Sequence, residues 1–230
     1  MSDRAHVVWD WNGTLVDDRT VVVEATAATA TEITGRTVTA AQVRDAVSTS
    51  MRDTLGTLVG RAMNDASWRA ARDRILTFYA RTPPPPLVPS ARRTLIAVMA
   101  AGHHQSVLSN WPQDALRQAI RDQDLNGWFT AASGAADQHT LDKAVRLATL
   151  RSSLRRGTPL LVVGDTLGDA HAAASVGAAA VICTTYSLVQ AAADDIRATG
   201  AQPVRDIAEV AAIAAALPEE GRGVDRRVSA

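Results

Sequence analysis

His6-Val7-Val8-Trp9-Asp10-Trp11-Asn12-Gly13-Thr14-Leu15 decides how this chain is read. Val7-Val8-Trp9 is β-branched and aromatic, and a Gly-containing turn follows, the pattern of a short buried strand. Such a strand delivers Asp10 to its C-terminal end, where open α/β sheets build their sites. Two residues further on stands Asn12, an amide, where a second acid would have offered an acid/base partner.

Working outward, strand-like apolar runs recur at 5–9, 105–108, 160–163 and 179–182, with 128–130 (Trp128-Phe129-Thr130) as a shorter candidate. Helical patterns lie between them at 91–99, 115–122, 141–150 and 170–176. Apolar strands alternating with helices predict an α/β fold, a Rossmann-like parallel sheet core covered on both faces. The stretch from Val16 to Pro86 differs: it has helical segments and no strand. Thr39-Ala40-Ala41-Gln42 fits a capping box, and Trp68, Ala71, Ile75 and Phe78 recur at helical spacing as a packing stripe. Pro83-Pro84-Pro85-Pro86 cannot continue a helix and marks a boundary. The expected division is a core of 1–16 and 87–217, a helical cap of 17–86 inserted after the first strand, and a polar Gly/Arg-rich tail at 218–230 without order.

Composition narrows the function classes. The 24 acidic and 24 basic residues cancel, which leaves no electrostatic footprint for nucleic acid or an anionic membrane. No apolar stretch reads as a signal region or a membrane span, and the one cysteine, Cys183, forms no internal disulfide, so a cytoplasmic protein is expected. Of the 24 basic residues a single one, Lys143, is lysine. In a chain this biased toward arginine, a lone lysine marks a place where a compact ammonium is needed.

Asp10, Ser109-Asn110, Lys143 and Gly164-Asp165-Thr166-Leu167-Gly168-Asp169 all fall at strand ends or helix starts. In a parallel sheet these ends share one rim, so three carboxylates, a hydroxyl and an ammonium converge there. Clustered carboxylates repel unless a divalent cation lies among them, which points to Mg²⁺. The hydroxyl, the ammonium and nearby backbone N–H groups suit a phosphate.

These segments together resemble the haloacid dehalogenase-like superfamily, in its branch with a helical cap after the first strand and close to its phosphoglycolate-phosphatase-like and β-phosphoglucomutase-like members. The resemblance runs through Asp10-x-Asn12-Gly13-Thr14-Leu15, Val107-Leu108-Ser109-Asn110, Lys143 and Gly164-Asp165-Thr166-x-x-Asp169, with Ala172, Ala173 and Gly177 extending the last motif. It implies a Mg²⁺-dependent phosphohydrolase acting on a small phosphorylated metabolite. Asp10 would be the nucleophile that forms an aspartyl-phosphate. Asp10, the backbone carbonyl of Asn12 and Asp165 would hold the metal, with Asp169 in or just behind that shell. Ser109 and Lys143, with Asn110 and Gly13, would bind the transferring phosphoryl group.

Position 12 departs from the pattern. Phosphatases of this family carry an acid there that protonates the leaving oxygen and then activates water; Asn12 cannot transfer a proton. General acid–base catalysis is worth about 10²–10⁴ in rate. The residues are therefore compatible with a slow or specialised hydrolase, a stalled phosphoenzyme, or a protein that binds metal and phosphate without turnover. Phosphonate cleavage would need a cap lysine, and 16–86 contains none; the acidic pair Asp165/Asp169 argues against dehalogenation.

Other residues weigh less. Arg52 and Arg61 lie in the cap, where either could reach an anionic substrate group. Trp11 and Trp111 flank motif residues and are better candidates for the rim than Trp9, with packing beside the motifs as their expected role, whereas Trp9 and Cys183 are expected in the core. His103-His104 reads as a surface turn, His139 as a helix entry, and His171 as pointing away from the metal.

Overall fold

Residues 4–48, 50–135, 143–189 and 191–217 are described by a computed structural model. Their strands are β1 (His6–Trp9), β2 (His104–Pro112), β3 (Ala132–Ala135), β4 (Leu160–Gly164), β5 (Ala179–Cys183) and β6 (Gln202–Val204). The helices are α1 (Arg19–Thr34), α2 (Ala40–Asp45), α3 (Met51–Val59), α4 (Asp65–Tyr79), α5 (Ala91–Ala100), α6 (Gln113–Asp122), α7 (Lys143–Ser153), α8 (Leu167–Ser175), α9 (Ala193–Ala198) and α10 (Val210–Ala215).

The strands form one sheet in the order β3-β2-β1-β4-β5-β6, every pair parallel, as the α/β reading expects. β1 lies between β2 and β4, with Val8 opposite both Ser106 and Val162. The chain goes to one side of β1 for β2 and to the other for β4, which opens the crevice where such sheets bind ligands.

Alternation along the strands divides the core into two layers. Val7, Trp9, Leu161 and Val163 pack with Leu95 of α5, Leu116 of α6 and Val210 of α10. Val8, Leu160 and Val162 pack with Leu147 of α7, Ala173 of α8 and Ile196 of α9. Trp9 is fully buried, and its indole N–H donates to the Gln105 amide oxygen at 3.1 Å, so its polar edge is satisfied inside the core.

Among the described residues five helices lie between β1 and β2, and the first four, α1–α4, bury apolar clusters of their own around Leu55, Ala71, Val23 and Val43. The capping box at Thr39 is present, with Gln42 N–H donating to the Thr39 hydroxyl and Thr39 N–H to the Gln42 side chain. The outgoing and returning chains lie side by side before and after these helices. Val88 N–H donates to the Leu15 carbonyl and Asp17 N–H to the Pro86 carbonyl, each at 2.9 Å.

Several expectations are corrected. Residues 128–130 form no strand: Trp128 N–H closes a turn onto the Leu125 carbonyl, and the strand comes at Ala132–Ala135. β2 continues past Leu108 to Pro112, although its pairing with β3 shifts between those two residues. Trp11 is in the core rather than at the rim, 2% exposed, because the turn after β1 folds it inward. His103 is buried rather than at the surface; its Nδ1 accepts the Ala5 N–H at 3.1 Å. Cys183 is buried, as expected. His139 and the tail at 218–230 lie outside the described residues. Among the described residues no helix is long and apolar enough to cross a membrane.

Candidate active site

Asp10 follows β1 directly and is fixed by its own backbone, whose N–H donates to the Val163 carbonyl of β4 at 2.8 Å. Its Oδ1 accepts the Trp11 N–H at 2.7 Å, and its Oδ2 lies 2.9 Å from Lys143 Nζ. Lys143, the first residue of α7, also reaches Asp169 Oδ1 at 2.5 Å; its side chain is only 12% exposed. Asp169 sits in the first turn of α8, where its Oδ2 accepts from the Thr166 N–H and hydroxyl in a capping box. Asp165, one residue after β4, completes the group. Carboxylate oxygens of Asp10, Asp165 and Asp169 lie within 4.8 Å of one another.

Two glycines make this crowding possible. Gly13 has φ +70°, and a Cβ there would run into the Asp165 carboxylate. A Cβ on Gly164 would overlap the carboxyl group of Asp169. Both motifs therefore need glycine for close approach to an acid, not for mobility.

The electrostatics follow from burial and crowding. Burial pushes Asp10 up to about 6, with Lys143 opposing the rise and Asp169 adding to it. Burial, then the charges of Asp10 and Asp169, push Asp165 well above the ordinary carboxylate range. Burial also acts on Asp169, but the Lys143 charge and the hydrogen bonds from Lys143 and Thr166 outweigh it and hold that carboxyl low. Burial works against the Lys143 charge, yet Asp10 and Asp169 keep it raised above the ordinary lysine value. One ammonium among three buried carboxylates leaves net negative charge, and such an oxygen donor set fits a divalent cation.

A cavity of about 1430 Å³ opens over this cluster. Asn12, Gly13, Ser109 and Asn110 line it with the charged group, so the structure brings the core residues together as expected. Ser109 is buried, and its hydroxyl accepts the Trp111 N–H at 3.1 Å. Asn110 is exposed, and its amide oxygen accepts from Arg146. Trp111 is at the rim as expected, its ring tilted against Tyr79 with centroids 4.7 Å apart. His171 also lines the cavity.

The cap arginines fare differently. Arg52 lines the cavity, but its guanidinium donates to the Met63 carbonyl at 2.9 and 2.6 Å and pairs with Asp65 at 2.8 Å. Arg61 does not reach the cavity; it follows Gly60, whose left-handed φ of 79° ends α3 and turns the chain toward solvent.

Four further residues were not singled out by the sequence. Asp18 stands at the N-cap of α1, yet its carboxylate makes no capping bond. Its Oδ2 instead accepts from Asn12 Nδ2 and from the Tyr79 hydroxyl, both at 2.7 Å. Burial raises its pKa against those two hydrogen bonds. Arg146, one turn after Lys143, donates to the Ser109 carbonyl and the Asn110 side chain, tying α7 to the end of β2. On α4, Arg69 and Arg72 line the cavity together with Tyr79 and with Trp68 and Ile75, two members of the stripe read as packing.

Comparison with known proteins shows the same fold. A predicted phosphoglycolate phosphatase from Haemophilus somnus superposes with a TM-score of 0.72 at 17% identity, covering 93% of this chain and 99% of that one. A predicted phosphatase from Clostridium acetobutylicum gives 0.75 at 15% identity over 92% and 98%. A haloacid dehalogenase-like family hydrolase from Streptococcus pneumoniae gives 0.73 at 15% identity over 93% and 99%. At these identities the likeness is one of fold. No curated protein matches the sequence. The family model described as haloacid dehalogenase-like hydrolase, however, matches residues 7–183, the span that holds Asp10, Ser109, Lys143, Asp165 and Asp169, and the chain belongs to that family.

Proposed function

We propose that this protein is a Mg²⁺-dependent phosphohydrolase acting on a small phosphorylated metabolite, with Asp10 as nucleophile and the helices of 17–86 as its cap. The observation that carries the reading is the buried Asp10 held against Lys143 beside two further carboxylates at the floor of the cavity. With its pKa at about 6, Asp10 is mostly ionised at neutral pH and able to attack phosphorus. The bond from phosphorus to the Asp10 carboxylate forms as the bond to the leaving oxygen breaks, and that oxygen takes a proton. Water then attacks the same phosphorus, the bond to Asp10 breaks, and inorganic phosphate leaves. Lys143 and Ser109 bear on the transferring group, and Lys143 neutralises its charge. Asp10, Asp165 and the Asn12 carbonyl would hold Mg²⁺, with Asp169 behind them, and the ion would supply charge neutralisation at the phosphoryl oxygens.

Proton transfer falls to Asp18. Asn12 cannot perform it, and the Asp18 carboxyl lies one hydrogen bond beyond the Asn12 amide, on the wall of the same cavity. The amide at position 12 also favours a second reading, a protein that binds metal and phosphorylated ligand without turnover. Phosphate release across a panel of alkyl, aryl and acyl phosphates separates the two. Mg²⁺-dependent release that disappears in Asp10→Asn supports the hydrolase, whereas phosphorylation of Asp10 without release supports the binding protein.

A cation effect on stability is expected as well. An unfolded Asp10 ionises in the ordinary carboxylate range and the folded one at about 6. The metal-free fold therefore loses stability as pH rises through that window, and the full cost is present above it. Mg²⁺ at 100 times its Kd should stabilise the neutral protein by about 2.7 kcal/mol. The gain should shrink as protons compete for Asp10 below about pH 6. Thermal melts with and without Mg²⁺ check this; an equal gain in Asp165→Asn would place the ion elsewhere.

A further inference from the structure

Helix α4 turns two arginines toward the cavity that have no carboxylate partner. Other guanidinium groups nearby are neutralised: Arg52 by Asp65, Arg74 by Glu32 and Arg19 by Asp17, each at 2.8 Å. Arg69 makes no hydrogen bond or ion pair among the described residues. Arg72 is half-buried and makes one bond, donating to the Asn110 carbonyl at 3.1 Å, which leaves most of its five N–H donors free. Burial works against the Arg72 charge and outweighs the opposing charge of the neighbouring Asp73, which forms no ion pair with it. The two lie three residues apart, one helical turn, and so project from the same side of α4. An acid on the cavity wall, Asp195, is exposed and pairs with neither.

Among these polar side chains, beyond the catalytic floor, the cavity also has an apolar wall. Trp68, Ile75 and Leu76 of α4 face it together with Trp111 at the end of β2 and Leu188 in the segment after β5. Its volume of about 1430 Å³ exceeds the range of about 300–1,000 Å³ usual for small-molecule pockets. An apolar, aromatic wall beside two guanidinium groups without a carboxylate partner suits a ligand that brings both apolar area and an anion.

We infer that Arg69 and Arg72 form a second anion subsite, so that the substrate is a phosphomonoester whose alcohol has an apolar or aromatic body ending in a carboxylate or second phosphate. The phosphate to be cleaved lies over Asp10, the apolar body runs along Trp68 and Trp111, and the remote anion meets the α4 arginines. This assignment rests on the phosphohydrolase reading for which end of the ligand reacts, but it is testable by binding alone.

The probes are three phosphonates that cannot be hydrolysed: benzylphosphonate, 4-carboxybenzylphosphonate and phosphonoacetate. Their Kd values for the Mg²⁺-loaded protein can be measured by calorimetry and by quenching of tryptophan fluorescence. The 4-carboxy compound should bind at least about tenfold more tightly than benzylphosphonate, as expected for one charge-assisted contact. It should also bind at least about tenfold more tightly than phosphonoacetate, which has both anions and no apolar body. In Arg69→Met/Arg72→Met the preference for the carboxylate should fall to within about threefold, and Arg69→Lys/Arg72→Lys should recover part of it. The ratio of affinities is the readout, so a general loss of folding does not imitate the result. Equal affinities in wild type, a preference that persists in the methionine variant, or no binding of any probe overturns the inference. Phenyl phosphate hydrolysis on the same preparation tests the other reading: selective binding without phosphate release would remove the hydrolase and leave the subsite standing.

Discussion

Lys143→Met is expected to abolish phosphate release, with a loss of at least about 10²–10³-fold, the effect of removing one preorganised charge-stabilising group. Its ammonium is the only cation in contact with Asp10 and Asp169 among the described residues, at 2.9 and 2.5 Å. Two effects add. The transferring phosphoryl group loses a positive charge, and Asp10 loses the partner that opposes its burial. With that opposition gone, the Asp10 pKa rises above about 6, so less of it is ionised at neutral pH. The acid limb of the rate profile should move to higher pH, whereas a variant that only weakens binding leaves it in place. Stability should fall too, by about 3–5 kcal/mol before any metal is added, because breaking a buried pair strands its partners. Lys143→Arg should rescue little: a planar fork does not replace a point charge shared between two carboxylates. A Lys143→Met protein with activity within about tenfold of wild type and an unmoved acid limb would remove this residue from the machinery.

That lysine was legible in the sequence because it stands alone in a chain of arginines, and because the order of the motifs already placed it beside Asp10. The four apolar strands were legible for an equally simple reason: each is flanked by strands on both sides and buried on both faces, so Val, Leu, Ile and Trp fill it. β3 was not, because Ala132-Ser133-Gly134-Ala135 has no β-branched residue. Its pairing to β2 makes it a strand, whereas the more apolar 128–130 packs as a turn, with Trp128 under the Arg92 guanidinium. β6, Gln202-Pro203-Val204, is a three-residue edge strand whose proline was no advertisement for a sheet. In the site the pattern repeats. Asp10, Lys143, Asp165 and Asp169 sit at strand ends or helix starts and Ser109 where the pairing of β2 with β3 shifts, and strand order brings them together. Arg69, Arg72 and Tyr79 reach the cavity only through the placement of α4 against α1 and beside Asn110 and Trp111 of β2, which no local pattern encodes. Asp18 was hidden by its position, since an acid at a helix N-cap ordinarily caps the helix.

The contact between Asn12 and Asp18 changes what Asn12→Asp should do. With Asn12 donating to Asp18 at 2.7 Å, an acid at position 12 would set two carboxyl groups in contact at a site where Asp18 is 7% exposed. One of them must then keep a proton, and its pKa rises steeply. The single variant should therefore melt at a lower temperature and gain little or no activity, although it restores the residue type usual for the family. Asp18→Asn alone should lose about 10²–10⁴-fold, the range for a general acid–base group, if Asp18 handles the proton. The double variant Asn12→Asp/Asp18→Asn exchanges donor and acceptor. The amide introduced at position 18 would donate to the carboxylate introduced at position 12, and the Tyr79 hydroxyl could still donate to the side-chain carbonyl oxygen at position 18. It should regain wild-type stability and recover the activity lost in Asp18→Asn. Phosphate release and thermal melts on all four proteins close a double-mutant cycle, and coupling of at least about 1 kcal/mol is expected for groups in direct contact. Additive effects, or an Asn12→Asp protein that is faster than wild type and equally stable, would mean that Asp18 is only a structural anchor for the amide. Coupling of the expected sign would instead explain the asparagine: the carboxyl group of this site has moved six residues along the chain, and the amide is what holds it there.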